Sequence, residues 1–481
     1  MPFPFLNVTE RVEVLDDLFR FTAFSAAPLL LLESFMMGML CAFVPLGTYG
    51  LWINPHSVHR LPFTSILWVV LVLVTMHWAL SLKQLESTFN GRSMGILLPN
   101  IPQEVEDGST GDGFTFRVLH NGFGETGQWV LTLVSETALF GYSSSVFACT
   151  AFATLWQIRS LRRSGYALVM PIVAAVMYAM SLTHWAFALQ AYIMLADTSD
   201  PLYEGDFSFD LEMFYNISLL VSLSINVIMS DAIVLWRMCI VWEKRRPIIA
   251  FAAVLLATTL ALSFLNIASN ASTANFGFNG EDSEILHAAY AQTTIGLSTA
   301  FVSLMSNACA TILVGIKALL HRRSFPKYFR SENGRTRVER VLELLVESGV
   351  VYTIIWLLYC ISFLWPIAVY NIFGDPSDPS EPKYEVTAAA HLDAIMAQIT
   401  AIYPLIVFLL VALGTIHHSR GPIVLSGVIH GKEGPIVEVQ AIDAAVTVTF
   451  EVDIERSAMG SAFAFESDDG RASAGENEET K

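Results

Sequence analysis

The sequence predicts an all-α fold: a polytopic transmembrane helical bundle with about nine spans. Of its 481 residues, 54% are hydrophobic and only 15% are charged, whereas a soluble globular chain is usually about 25% charged. The apolar residues form long runs, and a helix needs roughly 20 such residues to cross the hydrocarbon core. The loops between the runs alternate between basic and acidic, which is typical of a chain that crosses a membrane repeatedly.

Nine apolar runs reach the length of a membrane span. They are residues 28–52, 63–82, 130–157, 167–195, 214–242, 247–268, 288–318, 346–372 and 392–416. The first run is interrupted by Pro28, Glu33 and Pro45. Several runs exceed the minimum length, so we expect those helices to tilt or to extend past the headgroups.

Basic residues lie in every second connection, and the intervening connections are acidic. The basic residues are Arg159, Arg162, Arg163, Lys244, Arg245, Arg246, Arg322, Arg323, Lys327, Arg330, Arg335, Arg337, Arg340, Arg420 and Lys432. The positive-inside rule then predicts an outer N-terminus and a cytoplasmic C-terminus, in the plasma membrane or an endomembrane. The sequons at Asn7 and Asn270 fall on the predicted outer side and are glycosylation candidates.

An internal repeat suggests how the chain is organised. Glu33 and Gly38 open the first span as Glu136 and Gly141 open the third, and a His-Trp-Ala block lies in both the second and the fourth span. Both copies run in the same direction, unlike the inverted repeats of many transporters.

We therefore predict three regions. Residues 1–125 form an N-terminal hairpin with an irregular outer loop over 83–128, as a partial copy of the next hairpin. Residues 126–418 form a seven-span core, and 419–481 form an acidic, largely disordered cytoplasmic tail. Within the tail, residues 447–454 alternate like a strand.

Ionisable residues inside spans are costly and usually face the bundle interior, so they mark candidate sites. Glu136 and His184 lie in the outer halves of neighbouring spans, and Glu33 and His77 lie similarly in the first hairpin. Each pair can bind a ligand amine or a proton. The alternative interpretation, which we favour, is a polar clamp between two helices, worth about 0.6 kcal/mol.

A second set of polar candidates lies nearer the cytoplasmic side. Asp231 and Arg237 are six residues apart and therefore do not share a helix face. Arg237 can extend its guanidinium to the cytoplasmic interface. It can also pair with Glu347 at the start of the eighth span, either as a conformational lock or as a static contact between the two helices. Pro404 lies inside the ninth span and predicts a helix kink.

Several function classes lack their signatures. The formal net charge of -17 argues against nucleic acid as a partner. No Walker loop, nucleophile elbow or HExxH pattern is present, so we predict neither an enzyme nor a cofactor. The adjacent His417 and His418 with His430 lack the spacing of a metal site. The five cysteines lie in apolar runs, which argues against disulfides across the loops.

The bilayer is the expected partner of this chain. The basic loop 317–340 either binds anionic lipid or a cytosolic protein, or it only sets the orientation of the chain in the membrane.

Five segments of residues 130–418 resemble a large family of uncharacterised seven-span membrane proteins of mushroom-type (basidiomycete) fungi. The segments are Glu136–Gly141, His184–Ala186, Ser230–Trp242, Glu347–Tyr352 and Ile402–Pro404. The resemblance implies a multi-pass protein with receptor-like topology and no established activity. The segment before about residue 125 departs from the seven-span pattern, as a genuine extra hairpin or as a fusion of neighbouring copies. The alternative functions are a small-molecule carrier or channel and, less favoured, a membrane-embedded hydrolase using His184 and Glu136.

Overall fold

The computed structural model describes most of the membrane-spanning part of the chain. The described residues are 17, 20–53, 60–89, 111–161, 169–198, 209–275, 293–324, 337–365, 370–373, 384–386 and 388–419. The predicted strand at 447–454 and most of the tail lie outside them, as do Asn7 and His430.

Long α-helices make up almost all of the described chain. They are α1 (Ala27–Ile53), α2 (Arg60–Phe89), α3 (Gly111–Leu161), α4 (Val169–Thr198), α5 (Phe209–Val241), α6 (Arg246–Asn275), α7 (Thr294–Ser324), α8 (Arg337–Leu364) and α9 (Ala388–Ser419). A single π-helical turn, Thr22–Ala26, leads into α1. Within the described ranges, nine helices are long and apolar enough to cross a membrane. The chain is therefore a multi-pass, all-α membrane protein, as the sequence predicts.

Two predicted boundaries are wrong. Helix α3 begins at Gly111, so part of the predicted irregular loop 83–128 is helical and extends the third span beyond the apolar run. The predicted eighth span 346–372 is helical only as far as Leu364, because a residue that precedes a proline, here Trp365, disfavours the helical conformation. Beyond it, the strands β1 (Tyr370–Phe373) and β2 (Tyr384–Val386) pair in an antiparallel ribbon.

Helix α9 is the most deeply buried of the spans. Of its most apolar stretch, 72% is buried inside the bundle, whereas none of the corresponding stretch of α2 is. Helix α1 packs along α3, and α3 to α8 contact one another in sequence order, with α7 also contacting α5. Residues Met1–Ala412 form one compact unit, so the first hairpin shares its packing with the following helices. Residues Leu413–Lys481 form a second unit, of which the structure describes only the end of α9.

The crossing of α1 and α3 is built on two glycines. A Cβ atom on Gly38 would overlap the carbonyl oxygen of Ala138, and a Cβ atom on Gly141 would overlap the carbonyl oxygen of Phe35. Small residues at such positions allow two membrane helices to approach closely. The two contacts are reciprocal, because in each helix the carbonyl that meets the opposite glycine lies three residues before that helix's own glycine. A twofold axis between two like helices produces this pattern.

Candidate functional site

The predicted pair Glu136 and His184 lies at a junction of three helices. His184 on α4 donates from Nδ1 to Glu136 Oε1 on α3 at 2.7 Å, and both side chains are buried. Gln398 on α9 donates from Nε2 to the same carboxylate oxygen at 3.1 Å and to the Ser181 carbonyl at 3.2 Å. The Ser181 hydroxyl in turn donates to Gln398 Oε1. The pair is therefore one part of a buried network that joins α3, α4 and α9.

The first hairpin repeats the pair in a different environment. His77 on α2 hydrogen-bonds Glu33 on α1 through the same ring nitrogen and the same carboxylate oxygen. The side chain of His77 is 76% exposed, however, against 7% for His184. Helix α9 covers the second pair, whereas α2 lies at the edge of the bundle. The same two residue types therefore form an outward-facing pair in one hairpin and a buried junction in the other.

The residues that follow each pair also bond alike. Trp78 donates from Nε1 to the Ser34 hydroxyl at 2.8 Å, and Trp185 donates from Nε1 to the Thr137 hydroxyl at 3.0 Å. Each hairpin thus carries a Glu–His bond with a hydroxyl–Trp bond one residue further along both helices. Four side-chain positions per hairpin match in residue chemistry and in bonding.

Helix α9 makes polar contacts at three successive depths. Tyr359 on α8 donates to Asp393 Oδ1 at 2.5 Å, and five residues further along α9 Gln398 joins the Glu136 network. Another five residues on, Tyr403 accepts a hydrogen bond of 2.5 Å from Arg237 Nη2 on α5. The first and the last of these positions are about 15 Å apart along the helix axis. The buried helix is therefore tied to its neighbours through much of its length.

Arg237 pairs with a tyrosine and not with the predicted carboxylate. The guanidinium carbon lies 5.0 Å from the ring centroid of Tyr403, in a cation–π arrangement. Glu347 is exposed, and the described residues contain no ion pair between it and Arg237. The predicted Arg237–Glu347 lock is therefore wrong in this conformation, because Tyr403 on the central helix α9 holds the guanidinium instead.

Arg237 lines a small cavity between α5, α7, α8 and α9. Nε and Nη1 are buried and have no hydrogen-bond partner among the described residues. The cavity wall also includes Val234, Thr311, Leu345 and Tyr403. A buried guanidinium with two free donors is suited to a water molecule or a carboxylate oxygen.

Tyrosine stacking extends this site along α8. Tyr352 and Tyr403 stack with ring centroids 4.2 Å apart and an interplanar angle of 10°. The Tyr352 hydroxyl lies 2.9 Å from the Ser230 hydroxyl on α5. The Arg237–Tyr403 contact is thus supported by a second, aromatic contact between α8 and α9.

Asp231 occupies a separate polar cluster formed by α5, α6 and α7. Its side chain is fully buried. Oδ1 accepts hydrogen bonds from the Ser303 hydroxyl at 2.8 Å and from Asn307 Nδ2 at 3.0 Å, and Oδ2 accepts one from the Thr259 hydroxyl at 3.5 Å. As predicted from their spacing, Asp231 and Arg237 serve different faces of α5.

The turn between α5 and α6 carries an exposed ion pair. Glu243 and Lys244 adopt positive φ angles of 55° and 54°, which is uncommon for residues other than glycine. Lys317 Nζ on α7 lies 2.9 Å from Glu243 Oε1 and 5.7 Å from the ring centroid of Trp242. A hydrogen bond from Lys317, together with its positive charge, lowers the pKa of Glu243 below its ordinary value. Lys317, the first residue of the predicted basic loop, therefore packs on this turn.

The remaining predicted positions have different outcomes. Pro404 lies within α9, which remains helical on both sides of it. Asn270 lies within α6 and donates from Nδ2 to the Asn266 carbonyl at 2.9 Å, so it is not the exposed loop position that glycosylation needs. The described residues include no group of three or more His, Cys, Asp or Glu placed to hold a metal ion. The five cysteines all lie in described helices, and each is a free thiol.

The sequence identifies Glu136 with His184, Arg237 and Asp231, but it misses most of the residues that bond them and both members of the Tyr359–Asp393 contact. The partners are Ser181, Tyr352, Tyr359, Asp393, Gln398, Tyr403, Ser303, Asn307 and Thr259. Tyr403 belongs to the segment Ile402–Pro404 that carries the family resemblance, but the sequence assigns it no contact. The available signal on α9 was the presence of Asp393, Gln398 and Tyr403 within an apolar run; their five-residue spacing turns each by roughly 140° from the last, toward a different neighbouring helix.

Comparison with known proteins gave no relative: no family model, no curated protein and no solved structure matches the chain.

Proposed function

We propose that this protein is a receptor-like membrane protein of the uncharacterised fungal seven-span type, with its N-terminus outside and its C-terminus in the cytoplasm. The observation that carries this proposal is the set of three polar contacts along α9. They connect α8 through Asp393, α3 and α4 through Gln398, and α5 through Tyr403. A buried helix held at successive depths by different neighbours is suited to passing a displacement from one membrane face to the other.

The proposal includes the domain organisation. Residues 1–125 are a partial copy of the following hairpin, and 126–418 are the seven-span unit. The matched bonds Glu33–His77 and Glu136–His184 support the duplication, as does the reciprocal contact at Gly38 and Gly141. In this interpretation the first hairpin covers α3, and the seven-span core carries out signalling.

Coupling along α9 is testable by hydrogen–deuterium exchange on the full chain. Tyr359→Phe removes the contact to Asp393 at one end of the helix. If α9 transmits displacement, exchange rises at that site and also around Tyr403, about 15 Å away. Ser218→Ala, on the exposed surface of α5, is the control and leaves α9 unchanged. A change confined to the Asp393 end contradicts the proposal.

A carrier remains the second candidate, because the buried polar side chains of Thr259, Ser263 and Asn266 follow one face of α6. Accessibility of a cysteine at Ala401, which is fully buried between Gln398 and Tyr403, separates the two functions. In a receptor, a membrane-impermeant maleimide labels Ala401→Cys from one side of the membrane at most. In a carrier with alternating access, the reagent labels it from both sides. The buried Cys360 is the internal control for non-specific labelling.

The proposed orientation has its own test with the same reagent. Ser272 lies at the end of α6 nearer α7 and Lys244 lies in the turn before α6, and both are exposed. In intact cells, Ser272→Cys is labelled and Lys244→Cys is not; permeabilised cells label both. The reverse pattern would show that the chain is inserted with its N-terminus in the cytoplasm.

A further inference from the structure

Asp231 is a buried carboxylate without a positively charged partner. Its side chain is fully buried, and the described residues place no Lys, Arg or His in an ion pair with it. Its three hydrogen-bond partners, Ser303, Asn307 and Thr259, are all neutral. An ionised carboxylate removed from water costs several kcal/mol unless a positive charge compensates it. The site therefore favours a proton or a bound cation.

The groups around Asp231 are those that a hard cation prefers. The Ser303 and Thr259 hydroxyl oxygens have lone pairs that can turn toward an ion when they stop donating. The Asn307 side-chain oxygen is buried and has no hydrogen-bond partner in the described part of the chain. It belongs to the same amide as the nitrogen that bonds Asp231, so a half-turn of that amide brings the oxygen to the carboxylate. Carboxylate, hydroxyl and amide oxygens together form a typical hard-cation donor set.

The charge of the site selects a monovalent ion. One carboxylate balances one positive charge, whereas a divalent ion would leave a net charge buried in a region of low dielectric constant. The three side chains bonded to Asp231 are two hydroxyls and an amide, with no thiolate or imidazole, the ligands that transition metals favour, among them.

Polar side chains also line a route to this site. On α6, Thr259, Ser263, Asn266 and Asn270 follow the i, i+4, i+7, i+11 spacing of one helix face. Ser263 Oγ and Asn266 Nδ2 are buried without a hydrogen-bond partner in the described chain. Asn266 Oδ1 accepts a hydrogen bond of 2.6 Å from Thr293, just before α7. This polar face extends from Asp231 to the membrane surface where α6 ends and α7 begins.

We propose that Asp231, with the oxygens of Ser303, Asn307 and Thr259, binds a sodium ion that reaches it along the polar face of α6. The ion bridges α5, α6 and α7 and stabilises their packing. This site is independent of the contacts on α9, so it holds whether the chain is a receptor or a carrier.

The test is thermal unfolding of the purified full-length protein in rising NaCl, with choline chloride keeping the ionic strength constant. Binding to the folded state raises Tm progressively once sodium exceeds its Kd. Asp231→Asn abolishes the sodium-dependent rise. The matched control is Asp393→Asn, which changes a second buried aspartate of the described chain, bonded to Tyr359, and keeps the rise.

Two further measurements keep the test decisive if Asp231→Asn does not fold. Ser303→Ala and Asn307→Ala retain the carboxylate, and each shifts the rise in Tm to at least tenfold higher sodium. Direct binding of radioactive sodium to the wild-type protein is saturable and is displaced by unlabelled sodium. Equal Tm values in sodium and choline, or a full sodium response in Asp231→Asn, would overturn the proposal and leave a proton as the compensating charge.

Discussion

Gly38 and Gly141 lie at the crossing of α1 and α3, each against a backbone carbonyl of the opposite helix. The Gly38 position meets Ala138 and the Gly141 position meets Phe35, so the two contacts are related by exchange of the helices. Neither carbonyl can move without displacing its helix. The first hairpin is thus attached to the rest of the bundle at a point where the chain tolerates no side chain.

Gly38→Ala and Gly141→Ala are each expected to destabilise the protein by about 1–3 kcal/mol, because the added methyl group forces the two helices apart. Gly47→Ala is the matched control, since a Cβ atom there has no neighbour within 4 Å. It should be neutral or stabilising by up to about 1 kcal/mol through improved helix propensity. Thermal unfolding in detergent measures all three, and equal effects at Gly38 and Gly47 would contradict the close crossing.

The two Glu–His pairs should differ in their contribution to stability. Glu136→Ala removes the acceptor shared by His184 and Gln398 in a buried site, at a cost of about 1–3 kcal/mol. Glu33→Ala breaks a pair whose histidine is largely exposed, and the expected loss is about 0.6 kcal/mol. Denaturation of the two variants under identical conditions compares them. A larger loss at Glu33 would show that the first pair is covered in the membrane.

A double-mutant cycle can measure the Arg237–Tyr403 contact. Tyr403→Phe leaves the guanidinium without its hydrogen-bond acceptor and should cost about 1.5–3 kcal/mol. Combining it with Arg237→Met should give a non-additive loss, with a coupling energy of about 0.5–3 kcal/mol. The control cycle pairs Arg237→Met with Glu347→Ala, and those losses should add. Coupling of Arg237 to Glu347 instead of Tyr403 would support the ion pair that the sequence suggests.

The turn after α5 should contribute a pH-dependent component of stability. Because Lys317 lowers the pKa of Glu243 below its ordinary value near 4.5, the folded state favours the ionised carboxylate. That contribution is present above about pH 4.5 and is lost as the pH falls through the lowered pKa. Glu243→Gln should therefore show a smaller fall in Tm between pH 6 and pH 3 than the wild type.

Glu347→Gln is the control for that experiment, because Glu347 is an exposed glutamate without the Lys317 contact. It should retain the wild-type dependence on pH. An unchanged pH profile in Glu243→Gln would show that the ion pair does not stabilise the folded state, as holds for many exposed pairs.

The sequence by itself determined the number of spans and their approximate positions. Hydrocarbon requires long apolar helices whose backbone bonds are satisfied internally, so the apolar runs are readable without tertiary information. It also located Glu136 with His184 and Glu33 with His77, because ionisable groups stand out within an apolar run. The ends were less accurate where helices continue beyond the hydrocarbon, as α3 does at Gly111.

Only the tertiary structure decided which polar residues meet. Charge and depth alone favour Glu347 as the partner of Arg237, because Tyr403 carries no charge. The choice depends on which helix occupies the centre of the bundle, and α9 does. Helix rotation and packing order depend on side-chain contacts summed over the whole bundle, and span hydropathy carries almost no information about them. The same physics explains why two like pairs, Glu33–His77 and Glu136–His184, face outward in one hairpin and are buried in the other.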